Sequence, residues 1–479
     1  MLKSLPINRI DKRVLLVFVL AIAIITILGI AHYGLIFGVA VSLILIVIPI
    51  VACIVVYPTF GIIVLLIAAY LVMWVIRMGV DFPLGTLLDA LQLLLLLGFF
   101  ISQKIKPDYK IFKNPITAVV IAWVSYNVLE VANFQAESRL AWVYSIRAVA
   151  GVALMYFVFV RQIKSVEFIR LIFKLWIALA CFAALYAFKQ EYLGFFDYEF
   201  ENINNDLQRS LLFISGHWRK FSIFSDPVAF SYNMVTASIL CLVLMLGAKK
   251  KAHKIILGFL ILFFMIAMIF SGTRGANVLF PAALFLLAVL KFNRTILVFS
   301  SACFLGLLVL IFLPTGNQNI QRFQSAFRPS NDASFNLRKI NQKRIQPFIQ
   351  THPFGGGLGA TGTWGSRFSP NSYLANFPPD SGYVRVAVEL GWIGLLVFCT
   401  FMFVILSTGI KNYYLIKDPT LKKYCLAMIL VVFALNIGNF PQEALVQFPT
   451  SIYFYLFVAL LNVTLELDKA KQRNLIETA

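Results

Sequence analysis

Two arginines sit where that residue type is costly. Arg219 and Arg274 each lie within a few residues of a long apolar run, and a guanidinium there desolvates at high cost unless an anion or a water-filled cavity meets it. Its planar fork suits two-pronged contact with phosphate oxygens, while a carboxylate inside the protein is the competing partner. Further ionisable side chains interrupt the apolar runs, namely Glu130, Arg147, Glu191, Asp226, Arg385, Glu389 and Glu443. Intramembrane charges are functional-site candidates by default. Arg385 and Glu389 stand four residues apart, so on a helix they either pair with each other or leave the carboxylate for chemistry. Asp380 opens the same apolar run. It reads equally as a general base or as a helix N-cap, a role Ser381 also suits.

The elements that must position these groups follow from composition. Of 479 residues, 60% are hydrophobic and only 13% charged, with a mean hydropathy of +0.86, whereas a soluble domain carries about 25% charged residues. Lipid is therefore the solvent for most of the surface, and in lipid a backbone satisfies its own polar groups as helix or closed barrel. Runs such as Leu91 to Phe100 lack the period-2 alternation of a barrel. The expected class is an all-α polytopic membrane protein with about 12–14 transmembrane helices. Spans are predicted at 14–31, 34–56, 60–76, 84–101, 115–131, 141–160, 168–192, 226–247, 255–272, 275–290, 296–313, 382–409, 424–440 and 448–465. The N-terminal Lys3, Arg9, Lys12 and Arg13 precede an apolar run without a small-residue cleavage site, so a retained first helix is expected.

Lysine clusters set the orientation. Lys104 to Lys113, Lys249 to Lys254 and Lys411 to Lys423 all fall on one side if the N-terminus is cytoplasmic, as the positive-inside bias requires. Both termini are then cytoplasmic, and the net charge of +20 belongs to membrane topology and not to nucleic-acid binding. The expected organisation is N-terminal helices over 1–193, an outer loop over 194–225, helices over 226–313, a large outer helical loop over 314–381 and C-terminal helices with a cytoplasmic tail over 382–479. The ionisable residues within spans map to the outer half, apart from Arg170 and Lys174, which can snorkel to cytoplasmic water. That one-sidedness points to a polar chamber opening outward, whereas a transporter places polar groups near the midplane. The second outer loop is rich in Arg322, Arg328, Arg338, Lys339, Lys343, Arg344 and Arg367 against Asp332 and Asp380. Arg209 and Arg322 read as solvated loop charges. The six cysteines show no CxxC spacing and read as small buried hydrophobes, so no metal site is expected.

Four stretches resemble one superfamily, the O-antigen ligases and the O-antigen or exopolysaccharide polymerases. They are Arg219-Lys220-Phe221-Ser222-Ile223-Phe224-Ser225-Asp226-Pro227, Ser271-Gly272-Thr273-Arg274-Gly275-Ala276, the segment from Arg338 through His352-Pro353 to Gly357 and Gly359, and Asp380-Ser381-Gly382-Tyr383 onward to Glu389-Leu390-Gly391-Trp392-Ile393-Gly394. The resemblance covers about residues 210–400. It implies a metal-independent, cofactor-free glycosyltransferase in a bacterial cytoplasmic membrane. A polyprenyl-pyrophosphate-linked glycan would be the donor and a glycan or lipid-anchored hydroxyl the acceptor, with the active site extracytoplasmic. Flippase or chain-length proteins of polysaccharide assembly are implied partners. By family position Arg219, Arg274 and Arg338 would hold the pyrophosphate, with Asp380 and Glu389 catalytic and Lys220, Arg147, His352 and Arg385 as secondary candidates. Ligases of this family carry a histidine followed by asparagine nine residues before the glutamate of the last motif. This chain has Asp380-Ser381 there, which favours a polymerase over a ligase. The rival outside enzymology is a flippase of lipid-linked glycans.

Other residues carry plainer readings beside these. His352 precedes a proline and reads as a turn residue. The run Gly355-Gly356-Gly357-Leu358-Gly359 either cradles phosphate through its N–H groups or forms a turn; it lacks the Gly-Lys-Ser/Thr ending of a P-loop.

Overall fold

The computed structural model describes residues 12–79, 82–214, 216–316, 318–325, 327 and 333–477. Lys3, Arg9, Arg328 and Asp332 lie outside the described residues, as do the side chains of Lys12, Arg13 and Arg322.

Each expected span is carried by helix. Among the described residues ten helices are long and apolar enough to cross a membrane, from Pro58–Arg77 to Thr450–Glu477. Shorter apolar helices at Ala23–His32, Val47–Val56, Ala276–Leu290 and Ile296–Phe312 fall in the four remaining segments. The protein is all-α and polytopic. The sheet among the described residues is one two-stranded hairpin, Phe213–Ile214 against His217–Trp218.

The chain forms two compact units, Met1–Gly61 and Ile62–Ala479. The first holds the antiparallel pair Lys12–Tyr33 and Leu35–Val56, with exposed apolar side chains such as Ile27 and Ile48, as a lipid solvent permits. The second is built around Pro227–Leu246, Pro419–Gly438 and Thr450–Glu477. Their apolar windows are 83%, 72% and 89% buried, against 22% for Lys251–Phe270. Three central helices therefore carry the core, and the others surround them.

Helix starts follow one local rule. Asn114, Asp226 and Asp418 each precede a proline at the first helical position and accept hydrogen bonds from the next backbone N–H groups. Proline presets the first-turn φ and lacks the N–H that would go unpaired, while the acidic or amide oxygen satisfies the donors behind it. Asp226, an outer-half charge in the sequence, is held as such a cap, with Val228 N at 2.7 Å and Ala229 N at 3.0 Å.

Two boundaries differ from expectation. The segment 382–409 is broken: a short bridging helix, Gly382–Glu389, ends at Leu390, and the span proper is Gly391–Leu415. Gly391 makes the break with φ +69°, and a Cβ there would lie 2.0 Å from the Pro353 carbonyl oxygen, so a sharp corner and a close approach coincide. The final helix runs on to Glu477, well past the predicted 465, so the expected tail is largely helical.

The Asp418 cap also meets Lys471 Nζ at 2.5 Å. Despite some desolvation, that ammonium and the Leu421 and Thr420 N–H groups hold its carboxyl below the ordinary aspartate value. A depressed folded-state pKa adds stability above the unfolded value that is lost as pH falls through the folded one. Asp418→Ala is expected to cost about 1 kcal/mol near neutral pH. The difference from wild type should close as pH drops below the ordinary aspartate range, while Asp418→Asn retains most of the cap. Thermal unfolding in detergent across that range reads both.

Candidate functional site

The segment 194–225 folds into helices Asp197–Ile203 and Asp206–Leu212 and the small hairpin, which delivers Arg219 to the turn at 271–275. Arg219 Nε donates to the Ser271 carbonyl at 2.9 Å, Nη2 to Thr273 Oγ1 at 3.1 Å and Nη1 to the Leu211 carbonyl at 3.3 Å. The next residue repeats the tie through its backbone, Lys220 N to the Phe270 carbonyl at 3.0 Å. Within the turn, Ser271 Oγ accepts from Thr273 N, and Thr273 Oγ1 donates to the Pro227 carbonyl. A Cβ on Gly275 would meet Tyr232 and Pro441 at 3.0 and 3.1 Å. The turn that presents Arg274 is thus pinned from several sides.

Arg274 is half-buried. Burial, and then the charge of Arg338, hold its guanidinium below the ordinary arginine value. Arg338 stands on the helix Ala333–Thr351, and its Nε lies 3.9 Å from Asp380 Oδ2. Burial raises the Asp380 carboxyl above the usual aspartate value, with Arg338 pulling the other way. Asp380 is not the cap of the bridging helix. Ser381 holds the cap position without a side-chain cap bond, and the first helical N–H, from Gly382, goes to the carbonyls of Asn439 and Gln442.

Glu389 ends that helix and is 2% exposed. Oε1 accepts from Thr361 Oγ1 at 2.5 Å, from Thr361 N at 3.3 Å and from Arg385 Nε at 3.2 Å, while Oε2 accepts from Gly359 N at 3.1 Å. Arg385 reaches on to Glu443 Oε2 at 2.6 Å. Burial lifts the Glu443 carboxyl, and Arg385 opposes it. The glycine run docks on the same helix end, with Gly356 N and Gly357 N donating to the Val388 and Glu389 carbonyls, each at 2.9 Å. Gly359, at φ +82°, leaves 2.2 Å between a built Cβ and Ser145 Oγ. These N–H groups close a helix terminus, so the cradle alternative has lost the donors it needs.

The secondary candidates are dispersed. His352 Nδ1 contacts the Phe348 carbonyl at 2.9 Å and Thr351 Oγ1 at 2.8 Å, with its ring stacked on Phe348. That is a turn residue's environment. Lys220 meets Glu191 at 3.5 Å and the Phe195 face at 5.0 Å; burial lowers its pKa and Glu191 opposes this. Arg147 pairs with Asp89 at 2.7 Å. Asp89, and Arg77, whose Nη2 donates to the Ser225 carbonyl at 2.5 Å, are polar groups that sequence reasoning passed over. Asp89 sits in the outer half of the predicted span 84–101, the signal that flagged the others, and Arg77 lies one residue past the predicted span 60–76. Asn439, whose carbonyl closes the start of the bridging helix, offered no such signal. Among the described residues no group of three or more His, Cys, Asp or Glu side chains is arranged to hold a metal ion.

The fold is an all-α multi-pass membrane bundle in which Arg338 and Asp380 adjoin and the charge of Arg338 reaches Arg274. Residues 257–399 match the family described as O-antigen ligase, which supports membership of that superfamily. At the family level the match supports a membrane glycosyltransferase of the O-antigen ligase and polymerase type. The matched segment holds Arg274, Arg338, His352, Asp380, Arg385 and Glu389, while Arg219 and Lys220 precede it. No curated protein matches the chain.

Glu389→Gln is expected to cost on the order of 3 kcal/mol, because the amide leaves Arg385 short of charge and offers one acceptor oxygen instead of two. The Gly355–Gly359 turn should loosen with it. A lowered unfolding temperature with faster proteolysis near 355–361 reads this; full stability in the variant would refute the clamp.

Proposed function

We propose that the protein transfers a glycan from a polyprenyl-pyrophosphate carrier to an acceptor hydroxyl on the outer face of a bacterial cytoplasmic membrane, extending a polysaccharide chain. The observation that carries this reading is the convergence of Arg274 and Arg338, close enough for one guanidinium to perturb the other, beside the carboxylate of Asp380 at 3.9 Å from Arg338. Two like charges held together in a half-buried setting favour an anion between them. A diphosphate supplies paired oxygens that match guanidinium forks.

In the reaction, Asp380 accepts the proton of the acceptor hydroxyl as its oxygen bonds to the anomeric carbon. The bond from that carbon to the pyrophosphate oxygen breaks, and polyprenyl pyrophosphate leaves. Arg274 and Arg338 stabilise the charge that develops on the leaving group, a term that grows in a low-dielectric site. Arg219 acts through the turn: its bonds to Ser271 and Thr273 aim Arg274. Glu389 is fully occupied as a clamp and positions the bridging helix. Asp380-Ser381 in place of the ligase His-Asn pair supports chain extension over transfer to a lipid anchor.

Purified protein with a polyprenyl-pyrophosphate oligosaccharide should build a ladder of longer chains, with the rate unchanged by EDTA. Arg274→Ala and Arg338→Ala should each lower turnover about 100-fold or more with stability retained. Arg→Lys should also impair, since an ammonium lacks the fork. Wild-type turnover in both alanine variants would sink the assignment, and a single defined product in place of a ladder would indicate a ligase. Asp380 must be ionised to act as base, so activity should fall on the acid side at a pH above the ordinary aspartate range. Arg338→Ala removes the cation that lowers this pKa and should move that limb upward; Asp380→Asn should abolish it along with most turnover.

A further inference from the structure

A cavity of about 770 Å³ lies at the opposite end of the bundle from the Arg274 turn. The helices Pro115–Leu129 and Gly391–Leu415 connect the two ends. Asn133, just past the first, bonds to the Phe354 carbonyl at 2.9 Å, and Gly391 adjoins Pro353, whereas Pro115 and Leu415 line the cavity. Seven of its lining side chains are Lys or Arg and two are acidic. Both acids are already engaged: Asp108 meets Arg161 at 3.3 Å and Glu466 meets Lys469 at 2.8 Å. Lys110, Lys113, Lys164, Lys411 and Arg473 line the space with no carboxylate in ion-pair range among the described residues.

The floor is fixed by buried amides. Asn114 Nδ2 donates to Asn462 Oδ1 at 2.8 Å, Asn462 Nδ2 to Tyr156 Oη at 2.5 Å and Asn412 Nδ2 to the Leu461 carbonyl at 2.9 Å. The walls are apolar, with Ile111, Val160, Ile163, Leu415 and Leu465 among them. Like charges gathered over an apolar cleft repel one another until an anion arrives. Burial, then the charges of Arg161 and Lys106, depress the Lys164 ammonium, with Asp108 opposing. A freely soluble anion has no use for the apolar walls. A phosphodiester carrying acyl chains uses both features, as basic pockets between membrane helices do.

We propose that this cavity binds the phosphate headgroup of an anionic membrane lipid, with Lys113, Lys411 and Arg473 as its principal contacts. The site is independent of the glycan-transfer reading and stands or falls separately. The test is native mass spectrometry of the full chain in detergent, titrated with phosphatidylglycerol or phosphatidylcholine. Wild type should retain phosphatidylglycerol at least about tenfold more tightly than phosphatidylcholine. The combined variant Lys113→Ala, Lys411→Ala, Arg473→Ala should lose at least about tenfold of that affinity. A control, Lys249→Ala, Lys250→Ala, Lys251→Ala, removes equal charge from a lysine cluster that does not line the cavity and should stay within about twofold of wild type. Equal loss in both variants, or equal retention of the two lipids, overturns the proposal by making the attraction one of general surface charge. Inorganic phosphate binding with the same variant sensitivity while phosphatidylglycerol fails to bind overturns the lipid assignment in favour of a soluble anion. Should the triple variant not fold, Lys411→Gln alone carries the test, with a weakening of about threefold or more expected and wild-type affinity refuting the site.

Discussion

Removing a carboxylate from water costs several kcal/mol unless donors replace the lost hydration, and one end of this bundle is organised around meeting that cost at Glu389. The donors come from far along the chain, Gly359 and Thr361 from the long loop before the bridging helix and Arg385 from the same helix. Arg385 then extends the tie to Glu443 in the loop before the last helix. One buried charge thereby joins three segments that have no reason to meet on hydrophobicity alone. The glycine run closes the helix end below it, and its lack of side chains allows contact with Ser145 and the Glu389 backbone that any Cβ would block.

With the bridging helix anchored, Asp380, two residues before it, is held beside the helix that carries Arg338. A separate set of bonds, from Arg219 into the Ser271–Gly275 turn, presents Arg274. Two separately stabilised elements thus bring Arg274 within reach of the Arg338 charge, and burial, then that charge, lower the Arg274 guanidinium. Such an arrangement persists because the surrounding hydrogen bonds over-determine it. The division of labour is physical: Glu389, Arg385 and Arg219, with their donors and acceptors engaged, hold the elements in place.

Charge is unevenly spread along the bundle for two different reasons. At the outer end acids and arginines interlock in pairs and triads. At the other end lysines outnumber acids around an apolar-walled cavity, a pattern suited to anionic headgroups. The three most buried helices, Pro227–Leu246, Pro419–Gly438 and Thr450–Glu477, run between these ends and carry little charge along their buried length.

The sequence by itself determined the class, the span positions and the lysine-bearing loops, because lipid demands long self-satisfied helices and leaves an unmistakable composition behind. It also marked Arg219, Arg274 and Asp380 by their setting, and the outer-half rule that flagged Arg147 applied equally to the overlooked Asp89. What it left open was which polar groups hold the architecture and which remain for function. Glu389 read equally as catalyst or as Arg385's partner, the glycine run as cradle or turn, and Asp380 as base or cap. Those choices depend on contacts between residues up to a few hundred positions apart, such as Asn133 with Phe354 or Gly382 with Asn439. Helical periodicity reports only neighbours within a turn or two, so only the tertiary structure could decide them.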